Sequence, residues 1–378
     1  MTEFGKIRVI ISGGGTGGHI FPALSIADKL KELNPETEIL FVGAIGRMEM
    51  ERVPAAGYRI EGLPVAGLQR RLTLSNLALP FKIVKSVRMA RRIIKDFKPD
   101  VAIGVGGYAS APLLWAAERL GIPVLIQEQN GFAGLTNKIL GKKADRICVA
   151  YEGMERFFPA EKIVLTGNPI RKGIGPAGEE TRKEAFGFYG LNPEKKHLLI
   201  VGGSLGSGTL NDAMKRWISD GCPCGEGMEV IWQCGKYYKP SVDSFMEERR
   251  KEGKECPAGI QYSDFIKRMD LAYAAADVVI SRSGASSISE LCAAHKAAIF
   301  VPSPNVTEDH QTHNAMALVR KDAGMIVKDS EAVEKLMETA CRLIEDPEKI
   351  ALIERNVAAL AKTDAAMEIA EEVYSILK

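Results

Sequence analysis

The chain has 378 residues, 46% hydrophobic and 26% charged, a size and composition that suit a soluble α/β protein of two domains rather than one core. Its 50 Lys and Arg against 48 Asp and Glu leave a net charge of +2, which excludes a protein that binds polyanions with its whole surface. An apolar run, Ile7–Ser12, predicts a first strand that feeds Gly13-Gly-Gly-Thr-Gly-Gly18. His19 then opens an amphipathic helix to about Leu33. Strands follow at Glu38–Val42, Val101–Val105, Val124–Gln127, Arg146–Val149 and Lys162–Leu165, with helices at Ile83–Asp96 and Ala111–Leu120. Alternation of this kind implies a parallel, doubly wound sheet.

Gly167-Asn-Pro-Ile-Arg171 reads as a turn-rich linker, after which the pattern restarts. His197–Val201 is a strand and Leu210–Ser219 a helix, joined by Gly202-Gly-Ser-Leu-Gly-Ser-Gly208. Glu229–Gln233, Asp277–Ser281 and Ala298–Val301 read as strands and Ser283–Ala294 as a helix. Helical segments run from Glu331 to the end. The short polar Met1–Gly5 gives no signal peptide, and no long uncharged apolar stretch predicts a membrane span. The seven cysteines fit no zinc or redox spacing, Cys222-Pro-Cys224 being one residue short of C-x-x-C, so reduced thiols are expected.

Two strand–glycine loop–helix junctions are devices for holding phosphate, because glycine admits close approach and a helix N-terminus presents unpaired N–H groups. They suggest two nucleotide-fold halves facing one cleft. The first junction satisfies G-x-G-x-x-G, so a nicotinamide or flavin fold competes. However, the second strand ends Phe41-Val42-Gly43-Ala44 without the ribose-binding acid, and no Lys-Ser or Lys-Thr completes a P-loop. A tight turn without a ligand remains the plain alternative. His19 lies where a helix N-terminus favours a neutral, proton-accepting imidazole; a packing or capping role is the alternative.

Three further loops follow strands. Val105-Gly-Gly-Tyr-Ala-Ser110 could face a ligand, and the polar run Ile126-Gln-Glu-Gln-Asn-Gly131 is costly unless it caps a helix or binds a polar group. Ser281–Glu290 would put Glu290 about two turns into a helix, able to accept from a vicinal diol. The polar cluster Thr307–Asn314 could read sugar hydroxyls. As a metal site it lacks a third ligand, and no D-x-D motif implies a chelated diphosphate. Finally, residues 68–95 interleave Leu72, Leu74, Leu77, Leu79, Phe81 and Ile83 with Arg70, Arg71, Lys82, Lys85, Arg88, Arg91 and Arg92. That suits an anionic membrane surface, or an ordinary helix with a basic solvent side.

Taken in order, these motifs resemble the MurG family of bacterial N-acetylglucosaminyl transferases. The matching residues are Gly13–Pro22, Gly106–Tyr108, Glu128–Lys138, Gly167–Arg171, Gly202–Gly206, Ser281–Ala285 with Glu290, and His310-Gln311 with Asn314. The resemblance implies the α/β GT-B fold, with a lipid-acceptor domain over residues 1–165, a donor domain over 166–355 and a C-terminal helix, 356–378, packed back on the first. It implies an inverting transfer from UDP-N-acetylglucosamine to the C4 hydroxyl of undecaprenyl-diphosphate-N-acetylmuramyl-pentapeptide.

His19 is then the candidate base, with Glu128 as a second catalytic candidate. Thr16, Gly17, Gly18 and Tyr108 would lie at the sugar and acceptor side. Asn130 would contact the donor sugar, Arg171 would act at the hinge near it, Ser204 would meet the diphosphate, and Ile266 would hold uracil through its backbone. Ala285, Ser286, Ser287, Ile288, Ser289 and Glu290 would wrap phosphate and ribose, and Gln311 and Asn314 would read the sugar hydroxyls. No cofactor is tightly bound, and a divalent cation would at most be non-essential. Partners implied are the lipid acceptor, an anionic membrane at its cytoplasmic face, and proteins of cell-wall synthesis and division, with no nucleic acid. Gln127 and Leu205 depart from the family's common His and Gln. Rival functions are a GT-B epimerase, a transferase with another lipid acceptor, an oxidoreductase and a non-catalytic nucleotide-sugar binder.

Overall fold

The computed structural model describes residues 5–65, 79–107, 109–203, 205–254, 256, 258–306 and 309–377, with backbone alone for 79–81. Tyr108, Ser204 and the first part of the basic stretch, residues 68–78 with Arg70, Arg71, Leu72, Leu74 and Leu77, therefore lie outside the described residues. The chain divides into two compact units, Met1–Lys172 with Thr363–Lys378, and Gly173–Lys362.

The first unit carries strands β1 (Arg8–Gly13), β2 (Glu38–Ala44), β3 (Arg59–Leu63), β4 (Val101–Gly106), β5 (Val124–Glu128), β6 (Arg146–Val149) and β7 (Ile163–Leu165). Helices α1 (Gly17–Leu33), α2 (Glu49–Ala55), α3 (Leu79–Phe97), α4 (Ser110–Arg119) and α5 (Leu135–Leu140) lie between them. The sheet is parallel and ordered β3-β2-β1-β4-β5-β6-β7. Its central strands are continuous apolar runs because both faces are covered. Ile10, Ala102 and Ile126 belong to one core, and Val9, Ile11 and Ile103 to the other. The C-terminal helix Ala365–Ser375 belongs to this unit: Ile369, Ala370 and Val373 share a core with Ile20, Ile26 and Leu30 of α1. The Gly167–Arg171 segment is packed on this unit rather than spanning between domains. Gly167 N donates to Val149 O, and Ser25 Oγ donates to Ile170 O at 2.8 Å. The boundary accordingly falls at residue 172, not 165.

The second unit repeats the plan with β8 (Lys196–Val201), β9 (Met228–Gln233), β10 (Gly259–Ser263), β11 (Val278–Ser281), β12 (Ala297–Phe300) and β13 (Met325–Ile326), ordered β10-β9-β8-β11-β12-β13. Its helices are α6 (Glu179–Tyr189), α7 (Gly208–Ser219), α8 (Lys239–Lys251), α9 (Met269–Ala275), α10 (Ala285–Ala293), α11 (His310–Val319), α12 (Asp329–Ile344) and α13 (Pro347–Leu360). In each sheet the order reverses once, between β1 and β4 and between β8 and β11. Loops leaving the carboxyl ends of those strands diverge there and open a crevice, the place where doubly wound sheets bind ligands.

Three strands are absent from the sequence reading: β3, β10 and β13. All are sheet edges. β3 and β10 have mostly exposed or half-buried residues, and β13 is two residues long, so none carries a run of core residues. The expectation of reduced thiols is corrected. Cys222 pairs with Cys256 and Cys224 with Cys341, while Cys148, Cys234 and Cys292 are free and buried. The partners lie 34 and 117 residues apart, and only the fold brings them together, so local spacing carried no sign of them. Loops of that length would restrict the unfolded chain by about 4 to 5 kcal/mol each on the chain-entropy estimate. Burial pushes the Cys292 thiol up to about 12, which makes it inert.

At the amino ends of β8 and β11 lies a half-buried ionic cluster. Asp277 accepts from His197 N at 2.8 Å and from Arg182. Burial alone would raise its carboxyl pKa, but hydrogen bonds from His197 and Arg182 hold it at about 2. A folded pKa below the unfolded value adds stability above about pH 4, and this is lost as pH falls through about 2. Asp277→Asn should therefore lower unfolding stability at neutral pH by about 2 kcal/mol, with the difference closing near pH 2. Urea unfolding across that range checks it; a difference that stays constant down to pH 2 contradicts it.

Candidate active site

In the first unit the glycine loop turns directly from β1 into α1. The helix begins at Gly17, two residues earlier than the sequence suggests, with Thr16 as its exposed N-cap residue. His19 therefore sits in the first helical turn and is half-buried. Its Nδ1 lies 3.0 Å from Gly14 O. With that carbonyl as acceptor, Nδ1 carries the proton and Nε2 carries the lone pair. The ring lies over the end of β4: a Cβ at Gly106 would come within 2.8 Å of His19 Cδ2. Glycine is required here, since Gly106 also has φ +100. Gly14 N donates to Gly106 O at 3.2 Å, which ties the first loop to the loop after β4.

The loop after β5 is a polar knot. Glu128 is 2% exposed. Its Oε1 accepts from Asn130 N at 3.1 Å, and its Oε2 accepts from Gly134 N at 3.2 Å and Asn137 Nδ2 at 2.8 Å. A longer contact of 3.4 Å joins Asn130 Nδ2 to Oε1. This carboxylate shapes its loop and leaves Asn130 half-buried at the surface. Of the neighbouring amides, which the sequence left between helix capping and binding a polar group, Gln127 and Gln129 do neither. Both are buried, and each serves as an internal strut. Gln127 Nε2 donates to Asn168 Oδ1 at 3.0 Å, and Gln129 Nε2 donates to Val105 O at 2.7 Å and to Gln127 Oε1. Asn168 Nδ2 closes the ring on Gln129 O. Burial without these bonds would be costly, and that is why three amides cluster here. Arg171 stacks its guanidinium 4.9 Å above the Phe21 ring.

In the second unit, Ser207 caps α7 by accepting from Leu210 N, and Arg282 Nη2 donates to the same hydroxyl at 2.7 Å. Gln233 clamps the loop on its other side: Oε1 accepts from Gly202 N and Nε2 donates to Gly203 O. Sequence reasoning missed both Arg282 and Gln233. The one available signal was polar side chains at strand ends, which many structural residues share. Leu205 is 68% exposed, so the loop does not need a polar residue there to hold its shape.

The α10 turn begins at Gly284 in extended conformation, so the N–H groups of its first turn are not used within the helix. Ala285 and Ile288 are buried, so only their backbones could meet a ligand, whereas Ser286, Ser287 and Ser289 are half-buried. Glu290 is 4% exposed, and Tyr273 Oη donates to its Oε2 at 3.4 Å. Ile266 is buried just after β10. Gln311 Oε1 accepts from Ser303 N at 2.9 Å, Ser283 Oγ donates to Gln311 O at 2.9 Å, and Asn314 Nδ2 lies 3.4 Å from Ser283 O. The structure thus brings Ser283, Gln311 and Asn314 together at the β11 switch. Among the described residues no group of three or more His, Cys, Asp or Glu is positioned to hold a metal ion.

The N-terminal domain of glycosyltransferase family 28 matches residues 9–149, and the family's C-terminal domain matches residues 197–373. A relative from Parabacteroides distasonis, named UDP-N-acetylglucosamine--N-acetylmuramyl-(pentapeptide) pyrophosphoryl-undecaprenol N-acetylglucosamine transferase, is 52% identical over 98% of this chain and 99% of its own. The chain belongs to the MurG family of glycosyltransferases. A relative of the same name from Phocaeicola vulgatus is 54% identical over 98% of this chain and 96% of its own. The crystal structure of MurG from Acinetobacter baumannii superposes with a TM-score of 0.74 at 27% identity, covering 98% of this chain and all of that one. The two parallel-sheet units are thus those of the GT-B fold that the sequence motifs imply.

Proposed function

We propose that this chain moves N-acetylglucosamine from UDP-N-acetylglucosamine to the C4 hydroxyl of undecaprenyl-diphosphate-N-acetylmuramyl-pentapeptide, with inversion at the anomeric carbon. The observation that carries this reading is identity of about one half, along the whole chain, to relatives named for that transfer. Each step has candidate residues. The α7 N-terminus and the described N–H groups of the loop before it suit a diphosphate and its growing charge as UDP leaves, a role to which the family resemblance adds Ser204. The first turn of α10 suits the remaining phosphate, Glu290 the ribose diol, and the backbone at Ile266 the uracil. Gln311 and Asn314 read the sugar hydroxyls. The family resemblance assigns Asn130, ordered by Glu128, to the donor sugar and Arg171 to the hinge near it. Thr16, Gly17 and Gly18 are assigned to the acceptor side, and the family resemblance adds Tyr108 to the substrate-binding residues.

His19 Nε2 takes the proton from the acceptor hydroxyl as that oxygen attacks. A divalent ion is not needed for the diphosphate in this reading. UDP release from UDP-N-acetylglucosamine should depend on the lipid acceptor. Equal release without acceptor would point to a hydrolase or epimerase, and no release with it to a binding module.

The acceptor's lipid is held in a bilayer, so the chain works as a peripheral protein of the cytoplasmic face, in cell-wall assembly and hence cell shape and division. Among the described residues no helix is long and apolar enough to cross a membrane. The support for surface binding lies on α3, α4 and α5. Ile83, Val84, Trp115, Leu135 and Ile139 are exposed apolar side chains on these three helices. Lys82, Lys85, Arg88, Arg91, Arg92, Lys142 and Lys143 are exposed in the same helices or just beyond them. Farther along α3, Ser86, Ala90, Ile93 and Ile94 are buried; Ile83 continues their face toward the N-terminal end of the helix and is still 52% exposed, so it and Val84 are surplus to the core. Reversing Lys82, Lys85 and Arg88 to Glu should cut sedimentation with anionic vesicles at least tenfold, at about 1 kcal/mol per charge. Turnover of a short-chain soluble acceptor should hold. Unchanged sedimentation contradicts the membrane role.

A further inference from the structure

Glu49 is a carboxylate that neither motif reading nor the proposed chemistry uses, yet it is among the most deeply buried acids in the chain, 1% exposed. It stands at the start of α2, and no Lys or Arg pairs with it among the described residues. Its Oε1 accepts from Ala44 N at 2.9 Å, at the end of β2. Its Oε2 accepts from Gly15 N at 2.8 Å, inside the first glycine loop. The carboxylate fills the space where a side chain at Gly14 would stand, so glycine at that position is a condition for this contact.

The peptide bonded to Glu49 is the one bonded to His19. Gly15 N–H and Gly14 C=O belong to a single amide, and His19 Nδ1 lies 3.0 Å from that carbonyl oxygen. A negative charge on the N–H side of an amide polarises it, and its oxygen becomes a stronger acceptor. We infer that Glu49 acts through the Gly14–Gly15 peptide to hold His19 in the Nδ1–H tautomer, so that the lone pair sits on Nε2. The arrangement does by way of a peptide what a carboxylate does when it touches an imidazole directly. Glu49 is thus a positioning residue, and the same bond fixes the loop that carries Thr16–Gly18. The inference rests on the reading of His19 as the base only for its kinetic consequence; the tautomer itself does not depend on that reading.

The test is 15N NMR of the full chain labelled at histidine, near pH 8.5 where an ordinary imidazole is about fully neutral. The His19 signal is assigned by its loss in His19→Gln. The wild-type signal should be that of an Nδ1–H imidazole; an Nε2–H signal overturns the inference whatever any variant does. In Glu49→Gln the Nε2–H share should rise, and kcat should fall about tenfold with the KM for UDP-N-acetylglucosamine within about twofold. Glu49→Asp, which keeps the charge, should fall between the two in both readings. An unchanged tautomer in Glu49→Gln, with or without a fall in kcat, would make Glu49 a structural strut and overturn the inference. Full activity in His19→Gln would instead sink the base assignment and leave the tautomer result standing.

Discussion

Replacing His19 by Gln should lower kcat by a factor of about 10² to 10⁴, the usual worth of a positioned general base. Glutamine matches the reach of the imidazole and can keep a hydrogen bond to Gly14 O, so the loop should hold its shape. What disappears is the lone pair at Nε2. Two features of the structure favour a neutral, accepting ring in wild type. The residue lies in the first turn of α1, where the helix disfavours added positive charge, and the Gly14 carbonyl engages Nδ1. Affinity for UDP should change by less than about twofold, because a residue acting only in the transition state lowers kcat without altering ground-state binding. Initial rates at saturating acceptor and a UDP titration separate the two quantities. A variant within about threefold of wild-type kcat would show that another group takes the proton.

Glu290→Ala should weaken UDP binding by about 1.5 to 3 kcal/mol, the range for hydrogen bonds to a charged group. That corresponds to a rise in Kd of about 10- to 150-fold. Glu290 is buried on α10, and Tyr273 touches one of its oxygens at 3.4 Å. A carboxylate so fixed would meet both hydroxyls of a vicinal diol without ordering cost at binding. The sharper reading is discrimination. Wild type should bind UDP better than 2′-deoxy-UDP, and the variant should lose most of that difference. If discrimination survives in Glu290→Ala, the ribose is held elsewhere.

The two sheets were legible because their central strands are buried on both sides and therefore read as unbroken apolar runs: Val9–Ile11, Val101–Ile103, Leu198–Val201 and Val278–Ile280. The edges β3, β10 and β13 were not, since an edge buries little and leaves no pattern. The glycine loops stood out because close backbone approach admits no other residue, as at Gly14 against Glu49 and at Gly106 under His19.

Residues that hold those loops from below were hidden. Glu49, Gln233 and Arg282 act across distances in sequence that only the strand order makes short. Gln127 and Gln129 show the converse error: polar residues beside a strand end looked like ligand groups and proved to satisfy each other. The disulfides were invisible for the same reason as Glu49. Leu135 and Ile139, exposed beside Lys138, were missed as surface features because their spacing on α5 equals that of an ordinary buried face.

The central claim, inverting transfer of N-acetylglucosamine to the C4 hydroxyl of a lipid-linked muramyl sugar, is tested most directly by the product. The chain would be incubated with UDP-N-acetylglucosamine and the undecaprenyl-linked acceptor, and the lipid product analysed by mass and by proton NMR of the new anomeric centre. One added N-acetylglucosamine in a β1→4 linkage is the predicted result; an α linkage, attachment at another hydroxyl, or an acceptor recovered unchanged beside epimerised donor would contradict it.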